Sequence, residues 1–232
     1  MSNLSNRASV QSIADQLIFP NTAFINGKFA GAKSGKTFQT INPANNEILT
    51  NISACDGSDV DFAVEKARKA FNNGGWSKMH PSDRKSVMIK LVKLMTRHRN
   101  TLAVLESLES GKPIKDCMDI DIPETLHCLA WHAESADKIY DQISPSGDDA
   151  VGMVVREPAG VVGCILPWNF PLMMLAWKIG PALAGGNSVI VKPAELTSMT
   201  ALKVAELAQE AGIPDGVLQV IPGLGEYAGQ AL

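Results

Sequence analysis

The sequence predicts an α/β protein whose second half is a Rossmann-like parallel sheet with flanking helices. Apolar runs at residues 161–166, 188–191 and 217–221 have the length and composition of buried parallel strands. Helical patterns over residues 171–184 and 197–211 separate these runs, and a last helix is expected to begin near Gly225. Alternation of this kind is typical of a βαβαβ unit, half of a doubly wound nucleotide-binding sheet.

The segments before this sheet are predicted in order along the chain. Residues 1–20 are polar and are expected to be a flexible N-terminus. Residues 21–139 open with a hairpin at Asn26-Gly27, a strong turn signal. They continue as helices, the first of which has Ser58 as its predicted N-cap and the last of which is expected over about residues 120–140. Residues 140–158 are predicted to form a projecting β-hairpin, and residues 159–232 the sheet.

Composition excludes several classes of protein. Hydrophobic residues make up 45% of the 232 residues, charged residues 19%, and the formal charge is −3, so neither nucleic acid nor an anionic membrane is an expected partner. The four cysteines have no Cys-x-x-Cys spacing, which argues against a disulfide frame or a metal site. The sequence shows no secretory signal and no membrane-spanning apolar run, so a cytoplasmic protein is expected.

Two charged residues follow the second predicted strand. Parallel sheets bind ligands at the carboxyl ends of their strands. Glu195 could accept hydrogen bonds from a ribose and repel a 2′-phosphate, which would favour NAD over NADP, and Lys192 could donate to the same ribose. The alternative is that both residues are solvated charges at a strand end.

The segment after the first strand is Pro167-Trp168-Asn169-Phe170-Pro171, where an ordinary dinucleotide fold has Gly-x-Gly-x-x-Gly. This segment is too bulky and stiff to form a tight phosphate cradle. The glycines at positions 223, 225 and 229 follow the third strand with different spacing, and an ordinary strand-to-helix turn explains them equally well.

Asn169 lies near the start of the helix that contains Pro171. It could cap that helix, or its carboxamide could donate to a developing oxyanion. Phe170, Met174 and Trp177 share one helix face because they have i, i+4, i+7 spacing. That face is either ordinary core or the wall of an apolar substrate channel.

Taken together, these segments resemble the NAD-dependent aldehyde dehydrogenase superfamily in its N-terminal part. The similarity starts near residue 20, and the bacterial γ-glutamyl-γ-aminobutyraldehyde dehydrogenases are the most similar subgroup. The matching motifs are Phe24-Ile25-Asn26-Gly27, Asn42-Pro43-Ala44, Glu106-Ser107-Leu108-Glu109-Ser110-Gly111-Lys112-Pro113, Arg156-Glu157-Pro158-Ala159-Gly160-Val161, Pro167-Trp168-Asn169-Phe170-Pro171, Gly180-Pro181-Ala182-Leu183-Ala184-x-Gly186-Asn187 and Lys192-Pro193-Ala194-Glu195.

The resemblance implies roles for the matched positions. Asn169 would be the catalytic oxyanion-hole asparagine, and Phe170, Met174 and Trp177 would border the aldehyde tunnel. The hairpin would associate subunits into a homodimer or homotetramer. The implied NAD-binding residues are Ile165, Leu166, Pro167, Trp168, Lys192, Glu195, Gly225 and Gly229.

The resemblance also implies what the chain lacks. Members of this family oxidise an aldehyde with NAD through a cysteine nucleophile and a glutamate base, and both would lie beyond Leu232 in an absent catalytic domain. Cys164 is expected to be buried and unreactive. The chain alone is therefore expected to be inactive and the sheet truncated. The alternative is a noncatalytic chain that acts only as a nucleotide-binding or assembly module.

Overall fold

The computed structural model describes residues 7–232, and the first six residues of the predicted flexible segment lie outside the described part. The strands are β1 (Ala23–Ile25), β2 (Lys28–Ala30), β3 (Thr37–Ile41), β4 (Ile48–Ser53), β5 (Gln142–Ser144), β6 (Gly152–Val154), β7 (Val161–Ile165), β8 (Ser188–Lys192) and β9 (Leu218–Val220). The helices are α1 (Arg7–Gln16), α2 (Gly57–Asn73), α3 (Pro81–Arg97), α4 (Arg99–Ser110), α5 (Ile114–Asp116), α6 (Ile122–Ser135), α7 (Pro171–Ala184) and α8 (Met199–Ala211), with π-helical turns at Cys117–Asp121 and Gly225–Gly229.

The predicted βαβαβ unit is confirmed. β7, β8 and β9 are parallel and adjacent, and they belong to a five-stranded sheet of order β2-β1-β9-β8-β7. Side chains alternate across β8: Val189 and Val191 pack with the core of α7 and α8, whereas Ile190 packs with α2 on the other face. The sheet is therefore covered by helices on both sides, as a parallel sheet requires.

The first hairpin joins this sheet at a position that sequence patterns do not specify. Asn26 and Gly27 have φ values of 51° and 75°, which a two-residue type I′ turn requires. β1 pairs antiparallel with β9 through Phe24 and Val220. The buried amide of Gln219 accepts from Asn26 N–H at 3.1 Å and donates to the Ala63 carbonyl at 2.8 Å, which ties the hairpin and α2 to the sheet.

β7 is less buried than its apolar sequence indicates. Of its five residues only Cys164 is buried, while Gly163 and Ile165 are exposed. The expectation of a fully buried strand was wrong, because among the described residues β7 pairs only with β8 and forms the edge of the sheet. An edge strand has a row of unpaired backbone groups.

Several predicted helix boundaries also need correction. The N-cap of α2 is Asp56 and not Ser58: the Asp56 carboxylate accepts from Ser58 N–H at 2.9 Å, and Asp59 accepts from Asp56 N–H at 3.1 Å in a capping-box arrangement. The helix expected over residues 120–140 ends at Ser135 and is preceded by a π-helical turn. The last helix, expected from Gly225, starts as a second π-helical turn.

The segment expected to be flexible contains a helix. α1 packs against α4, and its half-buried residues Ser9, Val10, Ile13 and Ala14 recur at helical spacing. This stripe is a weak signal in the sequence, because the segment as a whole is polar. None of the helices in residues 7–232 is both long and apolar enough to cross a membrane.

The predicted hairpin in residues 140–158 consists of β5 and β6. Ile143 is paired with Met153 in its register, so the two side chains lie on the same face. They are 76% and 69% exposed, which leaves an apolar face on this hairpin uncovered within the described chain.

Candidate cofactor and active site

Three strand-end segments meet at the carboxyl edge of the parallel sheet. Leu166 N–H donates to the Lys192 carbonyl at 3.0 Å, which joins the segments that follow β7 and β8. A methyl group placed on Gly229 would lie 3.6 Å from Cδ of Lys192, so the turn after β9 is also adjacent. The structure thus brings together the three regions to which the sequence assigned cofactor-binding residues.

Lys192 and Glu195 form an ion pair at this edge. The distance from Nζ of Lys192 to Oε2 of Glu195 is 3.3 Å, and the side chains are 3% and 45% exposed. Lys192 is therefore not a solvated charge, whereas the partly exposed Glu195 side chain can accept further hydrogen bonds. Such a pair can offer one donor and one acceptor to a diol.

The predicted cofactor wall is mostly open surface. Leu166 is buried, whereas Ile165 and Trp168 are each 56% exposed and Pro167 is also exposed. No described atom lies within 4 Å of a Cβ placed on Gly225. These apolar surfaces and the open space beside Gly225 can accommodate a flat ligand along the strand ends.

Asn169 does not cap α7. The N-cap residue is Phe170, with φ −140°, and no side chain caps from that position. The Asn169 carboxamide is exposed, and it neither accepts nor donates a hydrogen bond within residues 7–232. The capping interpretation was therefore wrong, and the amide N–H₂ is available to a ligand.

The stripe of Phe170, Met174 and Trp177 lies outside the core. Phe170 and Met174 are half-buried and Trp177 is 53% exposed. A different face of α7 packs inside the protein, where Leu172 and Ile179 are fully buried. The interpretation of this stripe as ordinary core is therefore wrong for Trp177. Phe170 and Met174 belong to the core only in part.

Two acidic residues beneath the site were not assigned a role from the sequence. Glu106 and Glu109 of α4 are 0% and 2% exposed. Glu106 accepts from Leu172 N–H at 3.3 Å, and Glu109 accepts from Met199 N–H at 2.7 Å. The signal in the sequence was their spacing: Glu106 and Glu109 follow Leu102 at i+4 and i+7, on the face of α4 that is buried.

Burial changes the acidity of these carboxyl groups. It raises the pKa of Glu106 to about 8, with a further contribution from the nearby charge of Asp121. Burial also raises the pKa of Glu109 to about 7, against the opposing effect of its hydrogen bonds to Thr200 and Met199. Both groups hold a proton more tightly than an exposed glutamate does.

The described cysteines are poor nucleophiles. Burial raises the pKa of the Cys164 thiol, and Lys178 only partly offsets this effect. Burial also raises the pKa values of Cys55 and Cys117 to about 12, and that of half-buried Cys128 in the same direction. Because the thiolate is the reactive form, none of these thiols is activated. Residues 7–232 also contain no group of three or more His, Cys, Asp or Glu side chains arranged to hold a metal ion.

Comparisons with known proteins point to one family. The model of the aldehyde dehydrogenase family matches residues 29–232. The chain is 55% identical over its full length to aminoacetaldehyde dehydrogenase of Pseudomonas aeruginosa, covering 47% of that protein. It is 44% identical over 99% of its length to the NADP/NAD-dependent aldehyde dehydrogenase PuuC of Escherichia coli, covering 46% of it.

Solved structures give the same result. A P. syringae indole-3-acetaldehyde dehydrogenase variant in complex with NAD⁺ superposes with a TM-score of 0.96 at 47% identity, over 97% of this chain and 46% of that one. γ-Glutamyl-γ-aminobutyraldehyde dehydrogenase of Burkholderia cenocepacia gives 0.95 at 44% identity, over 97% of this chain and 45% of that one. The chain spans about half the length of the curated relatives it matches. On its fold, its strand-end residues and these matches, the chain belongs to the aldehyde dehydrogenase family.

Proposed function

We propose that this chain is the NAD-binding portion of an enzyme that oxidises an aldehyde to a carboxylic acid. The observation that supports this most is that the Asn169 carboxamide, which has no hydrogen-bond partner in the described part of the chain, and the Lys192–Glu195 pair follow adjacent strands at one sheet edge. The Asn169 carboxamide can donate to a reacting oxygen while the Lys192–Glu195 pair holds a cofactor. When bound, NAD supplies the hydride acceptor.

In this proposal Glu195 accepts hydrogen bonds from the adenine-side ribose and Lys192 donates to it. Ile165, Leu166, Pro167 and Trp168 line the path of the cofactor, and Gly225 and Gly229 lie near its adenine end. A 2′-phosphate would be repelled by Glu195, so NAD is preferred. The name of the E. coli relative includes both NADP and NAD, which suggests that this preference is a matter of degree.

Asn169 would donate its amide N–H to the aldehyde oxygen as negative charge develops there. A fixed donor of this kind stabilises a transition state more than the ground state. The described cysteines cannot supply the attacking thiolate. In this proposal, the nucleophile and the general base lie in a part of the enzyme that corresponds to the stretch of the relatives that this chain does not span.

The proposed substrate is a small aldehyde with a nitrogen-containing chain. Relatives are named for aminoacetaldehyde and for γ-glutamyl-γ-aminobutyraldehyde, and the latter is the subgroup that the sequence resembles. Phe170, Met174 and Trp177 would border its apolar tunnel. Rates of NADH formation with these two aldehydes, against acetaldehyde, would measure this preference, and equal rates for all three would contradict it.

The exposed face of the β5–β6 hairpin is the proposed surface for association into a homodimer or homotetramer. Sedimentation of the complete enzyme would measure this. Replacing Ile143 and Met153 by Thr keeps strand propensity and should lower the mass of the assembly that sediments. An unchanged mass would exclude this hairpin from the interface.

The role of Asn169 is tested by Asn169→Ala in the complete enzyme. We expect kcat to fall about 100- to 1000-fold, with NAD affinity unchanged. The matched control is Asn72→Ala, which removes an exposed asparagine of α2 and should leave kcat unaltered. Wild-type kcat in the Asn169 variant would contradict the proposed role.

A further inference from the structure

α4 holds two fully buried carboxyl groups one turn apart. Glu106 and Glu109 are three residues apart on this helix and therefore share one of its faces. Burial of a carboxyl group is costly unless hydrogen bonds compensate for the lost water. The partners of these two groups therefore indicate what each group does in the fold.

Each glutamate accepts hydrogen bonds from the first turn of a different helix. Glu106 accepts from Leu172 N–H in α7. Glu109 accepts from Met199 N–H at 2.7 Å, from Thr200 N–H at 3.1 Å and from the Thr200 hydroxyl in α8. Neither α7 nor α8 has a capping side chain at its own N-cap residue. Because the first N–H groups of a helix otherwise lack partners, α4 supplies the caps for both helices.

These two helices directly follow the two candidate ligand segments. Asn169 precedes Leu172 by three residues, and Glu195 precedes Met199 by four. We infer that Glu106 and Glu109 are positioning residues, which hold the Asn169 segment and the Lys192–Glu195 segment at a fixed separation from a single helix. This inference rests on the proposed function for the part that concerns cofactor binding.

The start of α7 has a second support from the same region. Lys112, two residues beyond the end of α4, forms an ion pair with the buried Asp121. Its Nζ also lies 3.9 Å from the centre of the Phe170 ring, a cation–π geometry. The residue next to Asn169 is therefore fixed by Lys112, and the first turn of α7 by Glu106.

The two glutamates differ in how many of their carboxylate oxygens accept hydrogen bonds. Among the hydrogen bonds of residues 7–232, Glu106 accepts through Oε1 only, and its buried Oε2 has no partner. Glu109 uses both oxygens. Glutamine keeps one carbonyl oxygen, so Glu106→Gln should preserve the contact to α7, whereas Glu109→Gln should lose part of the contact to α8.

Amide hydrogen exchange of the 232-residue chain tests the positioning role directly. We expect Glu106→Ala to speed exchange on the order of tenfold or more in residues 170–175, and Glu106→Gln to leave it near wild type. Glu109→Ala and Glu109→Gln should both speed exchange in residues 198–203. Glu210→Ala, which removes an exposed glutamate of α8, is the control.

A uniform rise in exchange across the core, or none in these two turns, would overturn the inference. If the alanine variants do not fold, the glutamine variants still decide, because equal behaviour of Glu106→Gln and Glu109→Gln would also contradict it. Thermal melts establish the temperature at which each variant is fully folded.

NAD affinity gives a readout that a purely structural role would not change selectively. Measured by calorimetry on folded protein, the Kd for NAD should rise at least about fivefold in Glu109→Ala and less in Glu106→Ala, because Glu195 lies on the segment that Glu109 holds. An equal increase in the Kd for NAD in both variants would overturn the inference that Glu109 positions the Glu195 segment selectively. Failure of the wild-type chain to bind NAD would contradict the proposed function instead, while the exchange pattern would still test the positioning.

Discussion

The candidate site combines residues that lie close together in sequence with residues whose partners are distant along the chain. The positions of Asn169, Lys192 and Glu195 at the carboxyl ends of adjacent strands could be predicted from sequence, because the order of strands and helices locates strand ends without knowledge of packing. Glu106 and Glu109 could not. Their partners are backbone N–H groups 66 and 90 residues away, and no local pattern specifies which helix N-terminus a buried carboxyl group reaches.

The buried carboxyl of Glu106 makes stability depend on pH. Its pKa is about 8 in the folded protein against an ordinary value of 4.5. Between these two values the folded state binds more protons than the unfolded state, so the free energy of unfolding should decrease as pH rises through this window. Glu109, with a pKa of about 7, acts in the same direction.

Glu106→Gln should remove the part of this decrease that belongs to Glu106. We expect urea unfolding to show a smaller loss of stability between about pH 5 and about pH 9 in the variant, by more than roughly 1 kcal/mol, the equivalent of less than one pKa unit. Glu226→Gln, on an exposed side chain, is the control. Parallel pH profiles for wild type and Glu106→Gln would contradict the assigned pKa shift.

At the scale of elements, sequence patterns were most reliable where local signals and packing agree. α7 begins at Pro171 and ends at Ala184 as predicted, because proline favours the first turn of a helix and a Gly-Gly pair follows its end. The edge position of β7 could not be predicted, since an apolar sequence does not show how many neighbouring strands pair with it. The π-helical turns were missed because they follow from packing.

The turn after β9 offers a test in which stability and binding separate. A methyl group on Gly223 would lie 2.6 Å from the Cys55 carbonyl oxygen, whereas one on Gly225 would meet no described atom within 4 Å. Gly223→Ala should therefore lower the free energy of unfolding by about 1–3 kcal/mol. Gly225→Ala should leave stability unchanged and still weaken NAD binding, as calorimetry and urea unfolding would measure.

Either of two results would contradict this account of the turn. Gly223→Ala with wild-type stability would mean that the turn does not pack closely on Cys55. Gly225→Ala with wild-type NAD affinity would place the cofactor away from this glycine.

At the scale of the whole molecule, residues 7–232 form a core on both faces of one sheet and also leave some surfaces uncovered. The outer edge of β7 has no strand partner among the described residues, and the β5–β6 hairpin exposes an apolar face. Such surfaces promote association. The sheet and its ligand edge could be predicted as a class from the order of strands and helices, whereas the antiparallel addition of β1 and β2 depends on long-range pairing.

In the proposed function this sheet edge binds NAD through Lys192 and Glu195. Calorimetric titration of the 232-residue chain with NAD measures this binding. Lys192→Ala and Glu195→Ala should each weaken binding about tenfold or more, by loss of a charge-assisted hydrogen bond. The control is Lys203→Ala, which breaks the Lys203–Glu206 ion pair of 2.8 Å on α8 with the same spacing of three residues, and it should leave the Kd unchanged. Equal NAD affinity in all four proteins would contradict the assignment of this edge as the cofactor site.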